Sequence, residues 1–265
     1  MCSTNDPSFE EQLLAVAGES QACQIPQHLL DVPSQVLEAT GIPVQLKEMD
    51  AESLAYPSFA NADAMIDIDP DAGRITLWYK PDQLRAHVLG HELIHLRRSL
   101  LERVPKLMPM HDAGPYGLTV MLHENELEHL FVIPEEIQTF PEAEAWWVSH
   151  YGPVIDRAAA NRDTNALCWH WCQVRLSMPE QIELAKQVAG HLRAFGDPVV
   201  RVANDLCCDL KAAIPRKKDM ISELLRIVPD HQRKLHGVAR YVTVDGELDV
   251  EELAVGGPGG LIDLG

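Results

Sequence analysis

The reading of this chain turns on His91-Glu92-Leu93-Ile94-His95, set within Ala86-His87-Val88-Leu89-Gly90-His91-Glu92-Leu93-Ile94-His95-Leu96. Residues four apart on an α-helix project from one face. His91 and His95 can therefore bind a single Zn²⁺, and Glu92 can reach a metal-bound water as a general base. Pro81 suits a first helical turn, and Asp82 puts negative charge where the helix dipole favours it. Leu84, Val88, Leu89, Leu93, Ile94, Leu96, Leu100 and Leu101 surround the two histidines almost completely. The pattern predicts a helix over 81–103 that is apolar on most sides and hence buried. Two imidazoles and a carboxylate in such a helix cost free energy unless something satisfies them, and a metal ion does so.

Working outward, residues 8–39 read as helical, with interruptions at Gly18 and near Pro26 and Pro33. The period then changes. Residues 42–49 alternate as a strand, and Ala64-Met65-Ile66-Asp67-Ile68-Asp69 forms a second. Pro70-Asp71-Ala72-Gly73 is a turn signal, and Arg74-Ile75-Thr76-Leu77-Trp78-Tyr79 closes a hairpin. On the other side of the His-Glu helix, 105–115 reads as a loop. A second helix covers 118–133 and stops at Pro134, and helices divided by Pro153, Pro179, Pro198 and Pro215 continue to about Val228. The fold class expected is α+β, predominantly helical: a zincin-like core with a small three-stranded sheet, then a helical region. The domains expected are a core over 1–140, a helical region over 141–240, and an acidic, Gly-rich flexible tail over 241–265 that includes Gly256-Gly257-Pro258-Gly259-Gly260.

A catalytic zinc site needs a third protein ligand, with water in the fourth position. His123-Glu124-Asn125-Glu126-Leu127-Glu128-His129 is the richest supply. With Leu127, Leu130 and Phe131 as the buried stripe, Glu124 lies about 60–70° from its centre, and Glu126 and Glu128 about 100° to either side. Asn125 and His129 point away. Glu124 is the first choice, Glu128 the second and Glu126 the third. Oxyanion donors available nearby are Tyr116, His111, His123 and His129; His123 has an inward phase, and Tyr116 is the other principal candidate.

Composition excludes some classes. The 265 residues carry a formal net charge of −18, which opposes binding to nucleic-acid phosphates or anionic membranes and allows a basic peptide or partner. No run of about 18 apolar residues spans a membrane. The N-terminal sequence does not read as a secretory signal. Six cysteines, sparse and without a framework spacing, fit a reduced, cytoplasmic compartment. Cys168-Trp169-His170-Trp171-Cys172 lacks a matching second pair for a metal site, and its tryptophans read as helix packing.

The order of strand, hairpin, H-E-x-x-H helix, loop and Glu-bearing helix resembles the small gluzincin-type peptidases, in particular the ImmA/IrrE-like group. Residues 86–96 resemble their active-site helix. Glu124-Asn125-Glu126-Leu127-Glu128-His129-Leu130-Phe131-Val132-Ile133-Pro134 resembles their second motif, with Leu127 where that group carries a small residue. The resemblance covers residues 42–140. It implies Glu124 as the metal ligand and a cytoplasmic enzyme that cleaves a regulatory protein. The function expected is a zinc-dependent intracellular endopeptidase, Glu92 activating metal-bound water. The alternatives are a catalytically silent zinc-binding sensor or scaffold, which has no need of Glu92, and a zinc hydrolase acting on a non-peptide amide.

Overall fold

The computed structural model describes residues 7–50, 62–214 and 216–253. They fold as a predominantly helical α+β protein with two compact units. Of the described residues, 7–50, 62–104 and 240–251 belong to the first, and 105–214, 216–239 and 252–253 to the second.

In the first unit, α1 (Phe9–Ala22) opens with a reciprocal cap: Glu11 N donates to Ser8 Oγ and Ser8 N donates to a Glu11 carboxylate oxygen. It kinks at Gly18, where φ is 70°. Helices α2 (Gln27–Leu30) and α3 (Val32–Thr40) follow. Three strands, β1 (Val44–Glu48), β2 (Ala64–Asp69) and β3 (Arg74–Tyr79), form the expected sheet in the order β1-β3-β2. The central strand runs parallel to β1 and antiparallel to β2. Ile75, Thr76 and Leu77 are all fully buried, so β3 is covered on both faces. The hairpin closes at Gly73, whose φ of 56° a residue with a Cβ adopts only with strain. Ala72 N donates to Asp69 Oδ1 to hold the turn.

The segment after β3 is less regular than the expected single helix over 81–103. Pro81–Gln83 is a 3₁₀ turn, Arg85 is extended, and α4 (Ala86–Leu96) starts there. Its last turn widens into a π-helix over Arg97–Leu101. Every residue of α4 is buried except His95, which is half-buried. This is the outcome expected of an apolar surround. The helix packs on edge strand β2 and on α2 and α3.

The second unit begins with β4 (Lys106–Pro109), in the stretch read from sequence as a loop. It pairs antiparallel with the start of β5 (His236–Val244). Helix α5 spans Gly117–Thr139 and passes through Pro134 instead of ending before it. The proline removes one backbone donor, a cost of about 3 kcal/mol in a helix interior. Burial of Val132 and Ile133 before it, and a Trp147 indole hydrogen bond to buried Glu136 after it, hold the helix together. Helices α6 (Glu142–Ala160), α7 (Thr164–Ser177), α8 (Ile182–Ala194), α9 (Asp197–Ala213), α10 (Lys217–Ile227) and the single turn α11 (Asp230–Arg233) complete the helical region.

The acidic stretch read as a tail is structured through Glu252. Strand β6 (Glu247–Glu252) pairs with the end of β5 across Asp245-Gly246, both at positive φ as a tight hairpin turn requires. The Gly-rich stretch 256–260 lies outside the described residues. Among the described residues, no helix is long and apolar enough to cross a membrane.

Candidate metal centre

The helical register of α4 does what the spacing requires. His91 Nε2 and His95 Nε2 lie 3.0 Å apart, with ring centroids separated by 4.7 Å and planes at 70°. Each neutral imidazole has one protonated and one unprotonated nitrogen. Two Nε2 atoms this close either share a proton or direct their lone pairs at a common cation. Glu92 is also buried, and its Oε2 accepts a hydrogen bond of 2.9 Å from Ile66 N. Ile66 belongs to β2, the edge strand of its sheet, so Glu92 satisfies a donor that β3 does not. The edge strand thereby orients the carboxylate one position from the first histidine.

Among the described residues, His91, His95 and His129 make up the group of His, Cys, Asp and Glu side chains that could hold a metal ion. Three imidazoles fit such an ion chemically. Imidazole serves zinc, copper, iron and nickel alike, so the donor set does not name the metal. His129 is the residue whose helical phase was read as pointing away. That phase assumed a narrow stripe through Leu127, Leu130 and Phe131. In α5 the buried residues include Leu127, Glu128, Leu130, Val132 and Ile133, which between them occupy most of the helix circumference. A helix covered on most sides leaves no outward face by which to dismiss a histidine.

The three glutamates expected as candidate ligands stand elsewhere in the chemistry of the second unit. Glu124 and Glu128 do face inward, at 9% and 3% exposure. What they meet there is Lys217, whose Nζ lies 2.5 Å from Glu124 Oε1 and 2.5 Å from Glu128 Oε2. Glu124 Oε2 accepts from Leu107 N at 2.9 Å, so one of its oxygens holds an ammonium and the other a strand amide. Lys217 is itself 4% exposed. It opens α10, far away in sequence, and no spacing rule connects it to the glutamates. Glu126 receives the side-chain amide of Gln173 at 3.0 Å, and burial pushes its carboxyl up to about 7 against that hydrogen bond.

Two of the expected oxyanion donors, His123 and Tyr116, stand in a separate cluster around His236 within the second unit. His123 Nδ1 lies 3.2 Å from His236 Nε2, the two rings stacked at 8°. His236 Nδ1 lies 3.1 Å from the carbonyl of Gln232, which fixes its tautomer. Tyr116 donates to Gln232 Oε1 at 3.2 Å and packs edge-on against His236. Burial and the neighbouring His236 lower His123 to about 4, and burial raises Tyr116. His236 was not singled out in the sequence, where it is one histidine in a strand with no partner at a telling interval.

Compared with protein-family models, with curated proteins and with solved structures, the chain finds no match in any of the three.

Proposed function

We propose that the protein is a zinc-dependent endopeptidase of the H-E-x-x-H type, resembling the small gluzincin-type ImmA/IrrE-like peptidases in its helix over 86–96. The observation that carries the reading is the convergence of His91 Nε2 and His95 Nε2 to 3.0 Å, with Glu92 oriented beside them by Ile66 N. His91 and His95 would hold the ion, with His129 as third ligand in preference to Glu124, whose oxygens are engaged by Lys217 and Leu107. A bound zinc ion supplies Lewis acidity at the scissile carbonyl and makes water acidic enough to react near neutrality. Glu92 takes the proton from the attacking water and passes it to the departing amine. Ile66 N keeps the carboxylate in position through that cycle. The edge strand β2 offers backbone donors and acceptors along which an extended peptide can pair, which favours a peptide over an isolated amide. The net charge of −18 favours a basic substrate segment. The reduced cysteines expected from the sequence suit a cytoplasmic setting.

One observation favours a second reading, a catalytically silent metal-binding scaffold: the Glu92–Ile66 bond gives Glu92 a structural role. The Glu92→Gln variant separates the two. Gln retains an acceptor for Ile66 N but cannot carry the proton. The expected outcome is unchanged metal content, by elemental analysis, with peptide hydrolysis reduced by about 10²-fold or more. Equal activity in Glu92→Gln and wild type, or none in either, refutes the peptidase reading.

A further inference from the structure

Three large apolar side chains stand exposed within little more than one turn at the start of α5: Leu118 at 46%, Met121 at 50% and Leu122 at 55%. They occupy positions i, i+3 and i+4, which share one face of a helix. Among the described residues, the other helices of the second unit carry at most one exposed large apolar side chain each, as with Ile182, Val202 and Ile227. Scattered residues of that kind are ordinary on a protein surface, whereas a contiguous apolar face marks an interaction or ligand-binding surface.

The same face runs on to the candidate metal centre. Asn125 follows Leu118 by seven residues and His129 follows it by eleven, so at 100° per residue both fall within about 20° of the line through Leu118. Asn125 is exposed, and its Nδ2 lies 3.5 Å from His129 Nδ1. His129 is half-buried and belongs to the group with His91 and His95 that could hold an ion. Val132, the next residue on this face, is fully buried. The open face therefore starts at the beginning of the helix and ends where a ligand to the ion would stand. A molecule lying along it is led to the ion, which singles out the peptide acted on there over a second copy of the chain.

We propose that the α5 face from Leu118 to Asn125 binds an extended peptide carrying large apolar side chains at two alternate positions. That this peptide is the substrate rests on the endopeptidase reading above. Helix geometry sets the positions. At about 1.5 Å per residue, Leu122 stands about 10.5 Å along the helix from His129, and Leu118 about 16.5 Å. An extended chain advances about 3.3 Å per residue and puts alternate side chains on one side. The apolar side chains accordingly fall at the third and fifth residues from the bond held at the ion, both turned toward α5. Helix α5 has no Lys or Arg, so an Asp or Glu at either position loses water without gaining a counter-charge from it.

The test uses the full, zinc-loaded chain and three fluorescein-labelled peptides of Ser and Ala that carry Leu, Asp or Ser at two alternate positions. Binding is read by fluorescence anisotropy on the Glu92→Gln variant, whose α5 face is that of the wild type, and cleavage by mass spectrometry on the wild type. The Leu peptide is expected to bind about tenfold more tightly than the Ser peptide, as partial burial of two leucines implies, and the Asp peptide no better than the Ser peptide. Wild type is expected to cut the Leu peptide at a bond from which the two leucines are the third and fifth residues. The Leu118→Ser, Leu122→Ser double variant is expected to lose the preference with bound zinc unchanged. Equal binding of the three peptides overturns the proposal, and if the wild type cleaves them all the peptidase reading still stands. A preference in binding with no cleavage of any peptide upholds the surface and overturns the peptidase reading. A dimer in sedimentation velocity that the double variant abolishes assigns the face to a second copy and overturns the proposal. The preference among peptides is read on an unaltered α5, so a poorly folding variant does not obscure it.

Discussion

At the scale of single residues, chemistry is set by which partner each side chain meets first. Glu124 and His129 illustrate this on one helix. Glu124 is buried but already binds Lys217 and Leu107 N, whereas His129 stands in the group with His91 and His95 that could hold an ion. His129→Ala is therefore expected to lower bound zinc well below one equivalent, while Glu124→Gln retains it. Elemental analysis of protein purified without chelator decides, and zinc loss confined to the glutamate variant reverses the assignment. Lys217 carries the complementary prediction. Its ammonium lies between two buried carboxylates, those of Glu124 and Glu128. Removing one partner of a buried ion pair costs about 3–5 kcal/mol, because the charge left behind has lost both water and its counter-ion. Lys217→Met is expected to destabilise the protein by that order, measured as a shift in the urea midpoint at unchanged slope.

At the scale of elements, the strong local signals held and the ambiguous ones did not. The hairpin of β2 and β3 formed where Pro70-Asp71-Ala72-Gly73 marked it, because Gly73 adopts a conformation that other residues resist. Pro134 was read as a stop, yet α5 continues because packing on either side outweighs one lost hydrogen bond. Strand β4, four residues long, has no alternation to betray it and exists through its pairing with β5, more than a hundred residues later. Helix starts are also set locally. Asp163 caps α7, its Oδ1 accepting from Ala166 N at 2.9 Å. Asp163→Ala is expected to cost about 0.5–2 kcal/mol. Thermal unfolding followed by circular dichroism checks it, and an Asp163→Asn variant that restores most of the loss assigns the effect to the cap.

At the scale of the whole molecule, individual shifts add into a pH dependence of stability. His170 is buried in α7, its Nδ1 without a hydrogen-bond partner, and burial lowers it to about 4. His123 is lowered to about 4 by burial and His236. In the unfolded chain both titrate near the ordinary histidine value, about 6.5. Between roughly pH 6.5 and 4 the unfolded state therefore binds more protons, and stability falls as the pH falls. Glu126, raised to about 7 by burial, acts in the opposite sense: its native form takes a proton that the unfolded form does not. Two groups oppose one, so net acid destabilisation is expected. Replacing His170 by Phe removes one of the two. The variant is expected to lose less stability than wild type between pH 7 and pH 5 in urea titrations, and an equal or greater loss contradicts it. Comparing variant with wild type cancels the general effect of the −18 charge.

The sequence by itself determined the α+β class, the sheet of β1, β2 and β3, the burial of α4 and the placing of His91, Glu92 and His95 together. All of these depend on periodicity or on spacing within one turn, and such relations survive in any environment that buries the helix. Only the tertiary structure decided that Ile66 orients Glu92, that Lys217 engages Glu124 and Glu128, and that His236 partners His123. Each of these joins residues from different elements. In a compact chain, which buried polar group finds which partner depends on how the elements pack, and no interval in the sequence records that.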